Sequence, residues 1–333
     1  MTRHAVLAGI GSTLPERVVT NEMLAQRIDT SDEWIRSRTG IVERRLVEQG
    51  TATSDLAVEA GRRALKSAAL DRVDAVVLAT TTPDHPCPAT APTVASRLGL
   101  GTVAAHDVSA VCSGFLYGLA TGAGLIAIDQ AETLLVIGAE AFSTIIDPDD
   151  RGTAPIFGDG AGAVVLRAGR RDEPGALLGM ELGSDGELAD AIIVPGGGSR
   201  QRTSGHPPAP GDQFMKMQGQ TVFRNAIVRM TQSCHAVLDR TGWPVETVGL
   251  LVGHQANVRI LNAVAEDLGL PAERAFVNLD RYGNTAAASI PLALADAAAS
   301  GAVRAGDRVL LTAFGGGASW GAATLTWPAV DPS

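Results

Sequence analysis

Cys112, His254 and Asn284 stand out for what their side chains could do together. Cys112 ends the stretch AHDVSAVC (105–112), which reads as a strand and turn, and a helix of small residues is expected from Ser113. A thiol there meets the positive end of a helix dipole and unpaired backbone N–H groups, both of which favour the thiolate. His254, in GHQAN (253–257), follows a strand and precedes a helix with the apolar face Ile260, Leu261 and Val264. Asn284, in RYGNTAAAS (281–289), falls at another loop-to-helix start. In open α/β sheets such positions gather outside the carboxyl ends of the strands, so the side chains are expected to converge in one crevice.

The chemistry of that set is acyl transfer. A thiolate takes an acyl group from a thioester at almost no thermodynamic cost, because one thioester replaces another. His and Asn can then both donate to a single carbonyl oxygen and stabilise the enolate left when a neighbouring carboxylate departs as carbon dioxide. A Cys/His/Asn protease is the weaker alternative. Hydrolysis needs the imidazole beside the sulfur as its base, and no protease signature flanks Cys112. A lone His or Asn would read as structural, and Cys112 by its position alone fits a buried structural cysteine as well as a reactive one; polar groups at several equivalent strand ends favour the reactive reading.

The elements that must position them follow from periodicity. Short Val/Leu/Ile/Ala runs alternating with helical stretches argue for α/β layers around buried strands, expected at 73–81, 133–140, 162–168, 247–253 and 307–314. Thr30 and Glu33 have capping-box spacing, predicting a helix start there. Phe223, Ile227, Met230, Cys234 and Leu238 recur at helical steps within 220–240, which makes Cys234 a core residue. The order of strand, turn, small-residue helix, strand and Gly-rich hairpin occurs twice, the hairpins at 157–166 and 314–325 and Cys112 matched with Asn284. This predicts a duplicated unit, with halves 1–175 and 176–333. Residues 195–212, dense in Gly, Pro and Ser, read as a long surface loop.

Composition narrows the class. The chain has 333 residues, 45% of them hydrophobic and 19% charged, which excludes a disordered or collagen-like protein. A net charge of −9 argues against general nucleic-acid binding, so an anionic partner must meet a local basic patch. Cys87, Cys112 and Cys234 lie far apart without a CxxC pair, which excludes a disulfide framework or zinc knuckle and fits a reducing, cytoplasmic setting. The N-terminal stretch reads as a first strand, not a signal peptide. Residues 108–128 carry no charge and match the roughly 20-residue length of a membrane span, but their Ser, Thr, Cys, Tyr and Gly content favours a strand running into a buried helix.

The strings CSGFLYGLATG (112–122), GHQANVRI (253–260), GNTAAASIP (283–291) and FGGGASWG (314–321) resemble the β-ketoacyl-acyl carrier protein synthase III family. So do SDEWIRSRTGI (31–41) and RGTAPIFGDGAGAVVL (151–166), and the likeness covers nearly the whole chain. The resemblance implies the thiolase fold, two duplicated halves in a layered αβαβα arrangement, working as a homodimer. It implies that Cys112 is the acylated nucleophile, that His254 and Asn284 drive malonyl decarboxylation, and that the backbone N–H groups of Cys112 and a glycine of 315–317, taken as Gly316, form the oxyanion hole. By the same resemblance Trp34 and Arg151 sandwich the adenine of coenzyme A, with Arg38 on its phosphates and Thr30 beside it.

Arg224 and Arg259, with Lys216, match basic positions that dock the acyl carrier protein, although Glu266 and Asp267 stand on the same helix as Arg259, where relatives often carry lysines. Cys87 matches the tip of a loop that closes the partner subunit's primer pocket. The implied reaction condenses an acyl-coenzyme A primer with malonyl-acyl carrier protein, uses neither metal nor redox cofactor, and initiates fatty acid or polyketide synthesis. The alternatives are a non-elongating acyltransferase, a thiolase or a hydroxymethylglutaryl-coenzyme A synthase, and a non-catalytic partner subunit. The second catalytic Cys of a thiolase and the catalytic Glu of such a synthase are missing from the matching places. A partner subunit usually loses the thiol that is intact here.

Overall fold

Runs that are apolar on successive residues, such as TLLVIGAE, can be satisfied only as strands covered on both faces, and the chain builds two sheets from them. The computed structural model describes residues 3–332. The first sheet contains β1 (His4–Thr13), β2 (Ala75–Ala79), β3 (Ala104–Val108), β4 (Thr133–Glu140) and β5 (Gly160–Gly169), in the order β1-β5-β4-β2-β3. The second contains β6 (Leu177–Ser184), β7 (Leu250–Gly253), β8 (Arg308–Gly315) and β9 (Ser319–Thr326), in the order β6-β9-β8-β7. In both sheets a parallel pair (β2 with β4, β7 with β8) is followed across the sheet by two antiparallel pairings. Where the first sheet adds β3, the second has a single parallel bridge, Leu251 to Ala275.

The helices make the other layers. α1 (Asp32–Thr39) begins at Ser31, whose hydroxyl accepts the Trp34 N–H, and ends at Gly40 in the left-handed region. The cap is therefore Ser31 and not Thr30, as the capping-box spacing had suggested. α2 (Thr53–Ser67) covers the outer face of the first sheet. α3 (Gly114–Ala127) and α6 (Ser289–Ala299) lie between the sheets and touch strands of both. α4 (Gly219–Thr241) covers the outer face of the second sheet, with α5 (Val258–Asp267) packed against it. The result is the layered αβαβα thiolase-type arrangement. Leu116, Leu119 and Ile290 are almost wholly buried in its middle layer, each worth about 1.5–3 kcal/mol of transfer free energy.

Several expected boundaries shift. The strand expected at 247–253 begins at Leu250, because Val245–Thr247 is a 3₁₀ turn. The second Gly-rich segment is a true hairpin joining β8 to β9. The first is not, since β5 pairs with β4 across the long connection 141–159. The loop 195–212 carries one helical turn, Ser199–Arg202. Among the described residues no helix is long and apolar enough to cross a membrane; 108–128 divides into the end of β3, a turn and α3.

The two halves interlock at matched turns. Val111 has φ +47° and Ala286 φ +46°, each opening a 3₁₀ turn that leads into a middle-layer helix. The counterpart of Cys112 is thus Ala287. Asn284 lies three residues earlier, matching Ser109, which corrects the pairing of Cys112 with Asn284. Each turn sits on a glycine of the opposite half: a Cβ on Gly315 would lie 2.7 Å from the Cys112 N, and one on Gly138 would lie 2.3 Å from the Ala287 O. Gly138→Ala is expected to destabilise the protein by about 1–3 kcal/mol through overpacking. Gly124→Ala, on the exposed side of α3 with nothing within 4 Å of the new Cβ, should be neutral or stabilising by up to about 1 kcal/mol. Urea denaturation of both variants checks the contrast.

Candidate active site

Cys112, His254 and Asn284 come together in one cavity of about 230 Å³, at the seam between the halves. All are nearly buried, at 5%, 3% and 4% exposure. Phe142 and Phe157, stacked with ring centroids 4.6 Å apart, form an apolar wall with Ile192 and Met217. Phe223 and Ala226 from α4, Ile260 from α5 and Phe314 from β8 line the approach.

Cys112 occupies the 3₁₀ turn Val111–Ser113 just before α3. A helix leaves its first N–H groups without intrahelical partners, and the Cys112 backbone N–H favours the thiolate. Burial outweighs that contribution. The thiol is pushed well above its ordinary range by desolvation, and the charge of Glu140 adds to the shift. The thiolate expected from the helix dipole is therefore not the resting form.

His254 follows β7, its backbone N–H donating to the Thr312 O at 2.8 Å. Burial pushes its imidazole down to about 3, so it is neutral, with one nitrogen a donor and the other an acceptor. Nδ1 lies 2.7 Å from the Ser289 Oγ, which also receives the Gln255 N–H at 3.4 Å. In the tautomer in which that hydroxyl donates to Nδ1, the ring hydrogen sits on Nε2. Asn284 is held by its backbone, N–H to the Ile156 O at 2.8 Å and O from the Gly158 N–H at 3.0 Å. Its Oδ1 accepts the Ala286 N–H at 2.9 Å, which orients the amide so that Nδ2 is the free end.

Gly315 abuts the Cys112 amide directly, whereas Gly316 is buried against Ile192. Trp34 lines the cavity mouth, with the Arg38 and Arg151 guanidinium carbons 5.3 Å and 4.9 Å from its ring centroid. The slot expected between Trp34 and Arg151 is closed: Arg151 lies on the indole and pairs with Asp29 at 3.3 Å, so a purine must displace it. The Thr30 Oγ1 is buried without a partner. Arg224, Arg259 and Lys216 are exposed, with Arg259 stacked over Phe223 at 5.2 Å; Glu266 and Asp267 are exposed at the far end of α5. Cys87 is exposed and does not line this cavity. Ser289, Glu140 and the wall residues Phe142 and Met217 were not found by sequence reasoning. Only Glu140 left a signal, a lone charge ending an apolar strand.

Residues 106–186 match the family described as 3-oxoacyl-[acyl-carrier-protein (ACP)] synthase III, and 238–327 match its C-terminal part. A β-ketoacyl-[acyl-carrier-protein] synthase III of Streptomyces coelicolor is 62% identical over all of both chains, and one of Pseudomonas aeruginosa is 50% identical over 100% of this chain and 99% of its own. The crystal structure of the 3-oxoacyl-(acyl carrier protein) synthase III of Pseudomonas aeruginosa superposes with a TM-score of 0.92 at 49% identity, covering 99% of this chain and 100% of that one. A priming β-ketosynthase of a polyketide pathway superposes at 0.90 with 33% identity, covering 100% and 98%. With the fold, the cavity and this likeness along its whole length, the chain belongs to the β-ketoacyl-[acyl-carrier-protein] synthase III family of acyltransferases.

Proposed function

We propose that this protein condenses an acyl-coenzyme A primer with malonyl-acyl carrier protein, through an acyl-Cys112 intermediate, to start fatty acid or polyketide synthesis. One observation carries the proposal. His254 and Asn284 both have their acceptor atoms engaged away from the cavity, Nδ1 at Ser289 and Oδ1 at the Ala286 N–H. Each therefore presents an N–H donor into the space that holds Cys112.

In the first half-reaction the Cys112 sulfur attacks the primer carbonyl. The C–S bond to coenzyme A breaks, and the thiol proton leaves with the coenzyme. The oxyanion formed on the way is held by the Cys112 N–H and a glycine N–H, assigned to Gly316. In the second, the bond from the malonyl methylene to its carboxylate breaks and carbon dioxide leaves. The electron pair moves onto the thioester oxygen between the His254 Nε2–H and the Asn284 Nδ2–H. The enolate carbon then attacks the acyl-cysteine carbonyl, and the thiol is restored with a proton from solvent. No step calls on a cofactor beyond the two substrates.

Trp34, Arg38, Arg151 and Thr30 would hold coenzyme A, the indole and guanidinium groups stacking on the purine. Arg224 and Arg259, flanking Phe223 at the mouth, would meet the acidic carrier protein. The protein would work in the cytoplasm as a homodimer of chains with halves 1–175 and 176–333, Cys87 of each closing the primer pocket of the other. Support comes from the family and from a whole-length likeness to a priming ketosynthase.

The roles separate experimentally. Cys112→Ala or Cys112→Ser should abolish acyl transfer from acetyl-coenzyme A, read as the loss of one acyl adduct by intact-protein mass spectrometry. His254→Ala and Asn284→Ala should keep that adduct while losing about a hundred- to a thousandfold in malonyl decarboxylation, the usual effect of removing one oxyanion donor. Equal loss of both half-reactions would refute the division.

Because burial lowers the His254 imidazole to about 3, acidification from pH 8 to pH 5 should leave it neutral and donating. Decarboxylation by pre-acylated enzyme should show no break near the ordinary histidine value of about 6.5. Such a break would mean that the imidazole charges during the cycle.

Primer choice gives a further expectation. A cysteine at the tip of the 81–90 loop leaves more room than a bulky aromatic, and each additional buried methylene contributes about 0.8 kcal/mol. Competition between acetyl- and isobutyryl-coenzyme A should favour the branched primer in the wild type and shift toward acetyl in Cys87→Phe. A strong acetyl preference unchanged by the substitution would remove Cys87 from the pocket.

A further inference from the structure

Arg44 is wholly buried, yet the reaction above makes no use of it. Its guanidinium donates to the Val19 O at 2.9 Å, the Asn21 Oδ1 at 2.8 Å and the Pro155 O at 2.7 Å, while its Nε has no partner. All three acceptors are neutral. A buried cation is costly unless its surroundings compensate it, and one bonded to neutral oxygens of separate segments ties those segments together.

The segments are the ones that carry the groups at the cavity mouth. Arg44 belongs to the short ladder of Val18–Thr20 with Glu43–Arg45, which brackets α1 in sequence. Asn21, also wholly buried, passes the contact on. Its Nδ2 donates to the Asp32 Oδ1 at 2.8 Å, at the start of α1, and to the Ile41 O at 2.8 Å, just beyond its end. Both ends of the helix bearing Trp34 and Arg38 are thereby fixed to the guanidinium. Pro155 follows Arg151 in a turn closed by the Ala154 N–H on the Asp150 O at 2.9 Å. The elements that carry Trp34 and Arg151, whose guanidinium carbon lies 4.9 Å from the indole centroid, thus share one buried anchor.

The rest of the 151–159 connection is held differently. The Asn284 N–H donates to the Ile156 O at 2.8 Å, the Gly158 N–H to the Asn284 O at 3.0 Å and the Asp159 N–H to the Arg45 O at 2.8 Å. The wall around Cys112 keeps these anchors of its own, so the Arg44 side chain bears on the mouth. The Arg151 side chain can swing, since it pairs with Asp29, whose side chain is 97% exposed, and an exposed pair of this kind holds weakly.

We propose that Arg44, through Asn21 and Pro155, is a positioning residue for coenzyme A: it fixes the backbone spacing between α1 and the 151–155 turn, so that the Arg151 side chain alone swings aside and adenine enters a gap of set width beside Trp34. This rests on the function proposed above. It differs from a general packing role in predicting that Arg44 matters only for a thioester that carries the adenosine.

The test follows Cys112 acylation of the full-length protein against the concentration of two thioesters, acetyl-coenzyme A and acetyl-N-acetylcysteamine, which lacks the adenosine and its phosphates. The variants are Arg44→Lys and Asn21→Ala, each alone and combined with Trp34→Ala. Lysine keeps the charge but replaces the planar fork with one nitrogen that cannot span the three acceptors. Each single variant should raise the half-saturating concentration of acetyl-coenzyme A about tenfold, the lower end of what a lost hydrogen bond to a charged group costs. The maximal rate, and acylation by the truncated thioester, should stay at wild-type values. In the Trp34→Ala background neither variant should cost anything more. Where one variant does not accumulate as folded protein, the other decides.

Equal weakening with both thioesters, an undiminished loss in the Trp34→Ala background, wild-type behaviour of either folded variant, or failure of both to fold overturns the role of Arg44 and leaves the proposed function intact. Wild-type protein acylated by neither thioester, or a Trp34→Ala variant that half-saturates with acetyl-coenzyme A as wild type does, overturns the proposed coenzyme A site and the inference with it.

Discussion

Backbone meets backbone where the two halves cross, and the active site depends on that contact. The Cys112 turn rests on Gly315 of the second sheet and the Ala287 turn on Gly138 of the first, each at a distance that leaves no room for a Cβ. The strained φ values at Val111 and Ala286 are kept in place by this reciprocal clamp and by the middle-layer helices that follow it. Together they cost a few kcal/mol, which burial of α3 and α6 between the sheets readily offsets. Cys112 comes from the first half and His254 and Asn284 from the second, so their shared cavity exists only where the halves interlock.

That placement also sorts the cavity into regions of different chemistry. Apolar walls from Phe142, Phe157 and Met217 surround the sulfur, the donors enter from the Asn284 and His254 turns, and the exposed mouth carries the cations. The chain is acidic overall, at −9, so Arg38 and Arg151 on Trp34 and Arg259 on Phe223, all at the opening, form a local exception. Such a patch raises encounter rates with anionic thioester carriers more than it raises final affinity. Glu266 and Asp267 lie at the far end of α5, away from Arg259 at its start.

Much of this was legible in the sequence, for identifiable reasons. Strands buried on both faces announce themselves as uninterrupted apolar runs, so β4 was located to the residue. The repeat was visible because the order of elements survives where the residues have diverged. Convergence of Cys112, His254 and Asn284 followed from the rule that ligands collect at strand carboxyl ends. The misplaced correspondence of Cys112 with Asn284 came from aligning chemistry, not backbone. The true match, Ala287, carries no reactive group and is recognisable only by its dihedral angles. Ser289 meets His254, and Glu140 meets Thr81 and Thr82, across long stretches of sequence, and a serine opening a helix or a glutamate ending a strand has commonplace local explanations. The net effect on the Cys112 thiol was also out of reach, since the dipole is a local property and burial is not.

The charge state of the resting site explains why such a constellation would condense and not hydrolyse. A cysteine protease keeps a thiolate–imidazolium pair ready, and the imidazole can later activate water against the acyl-enzyme. Here burial drives both groups toward neutrality, the thiol up and the imidazole down to about 3. With the Ser289 hydroxyl donating to Nδ1 across 2.7 Å, the face of His254 turned to the cavity offers a hydrogen and no lone pair. Asn284 likewise offers only donors. An acyl-cysteine in this setting is surrounded by groups that stabilise negative oxygen and by none that deprotonates water. The intermediate can then wait for a carbanion that brings its own electron pair, released with carbon dioxide, and the donors that make that release possible are the ones that cannot help hydrolysis.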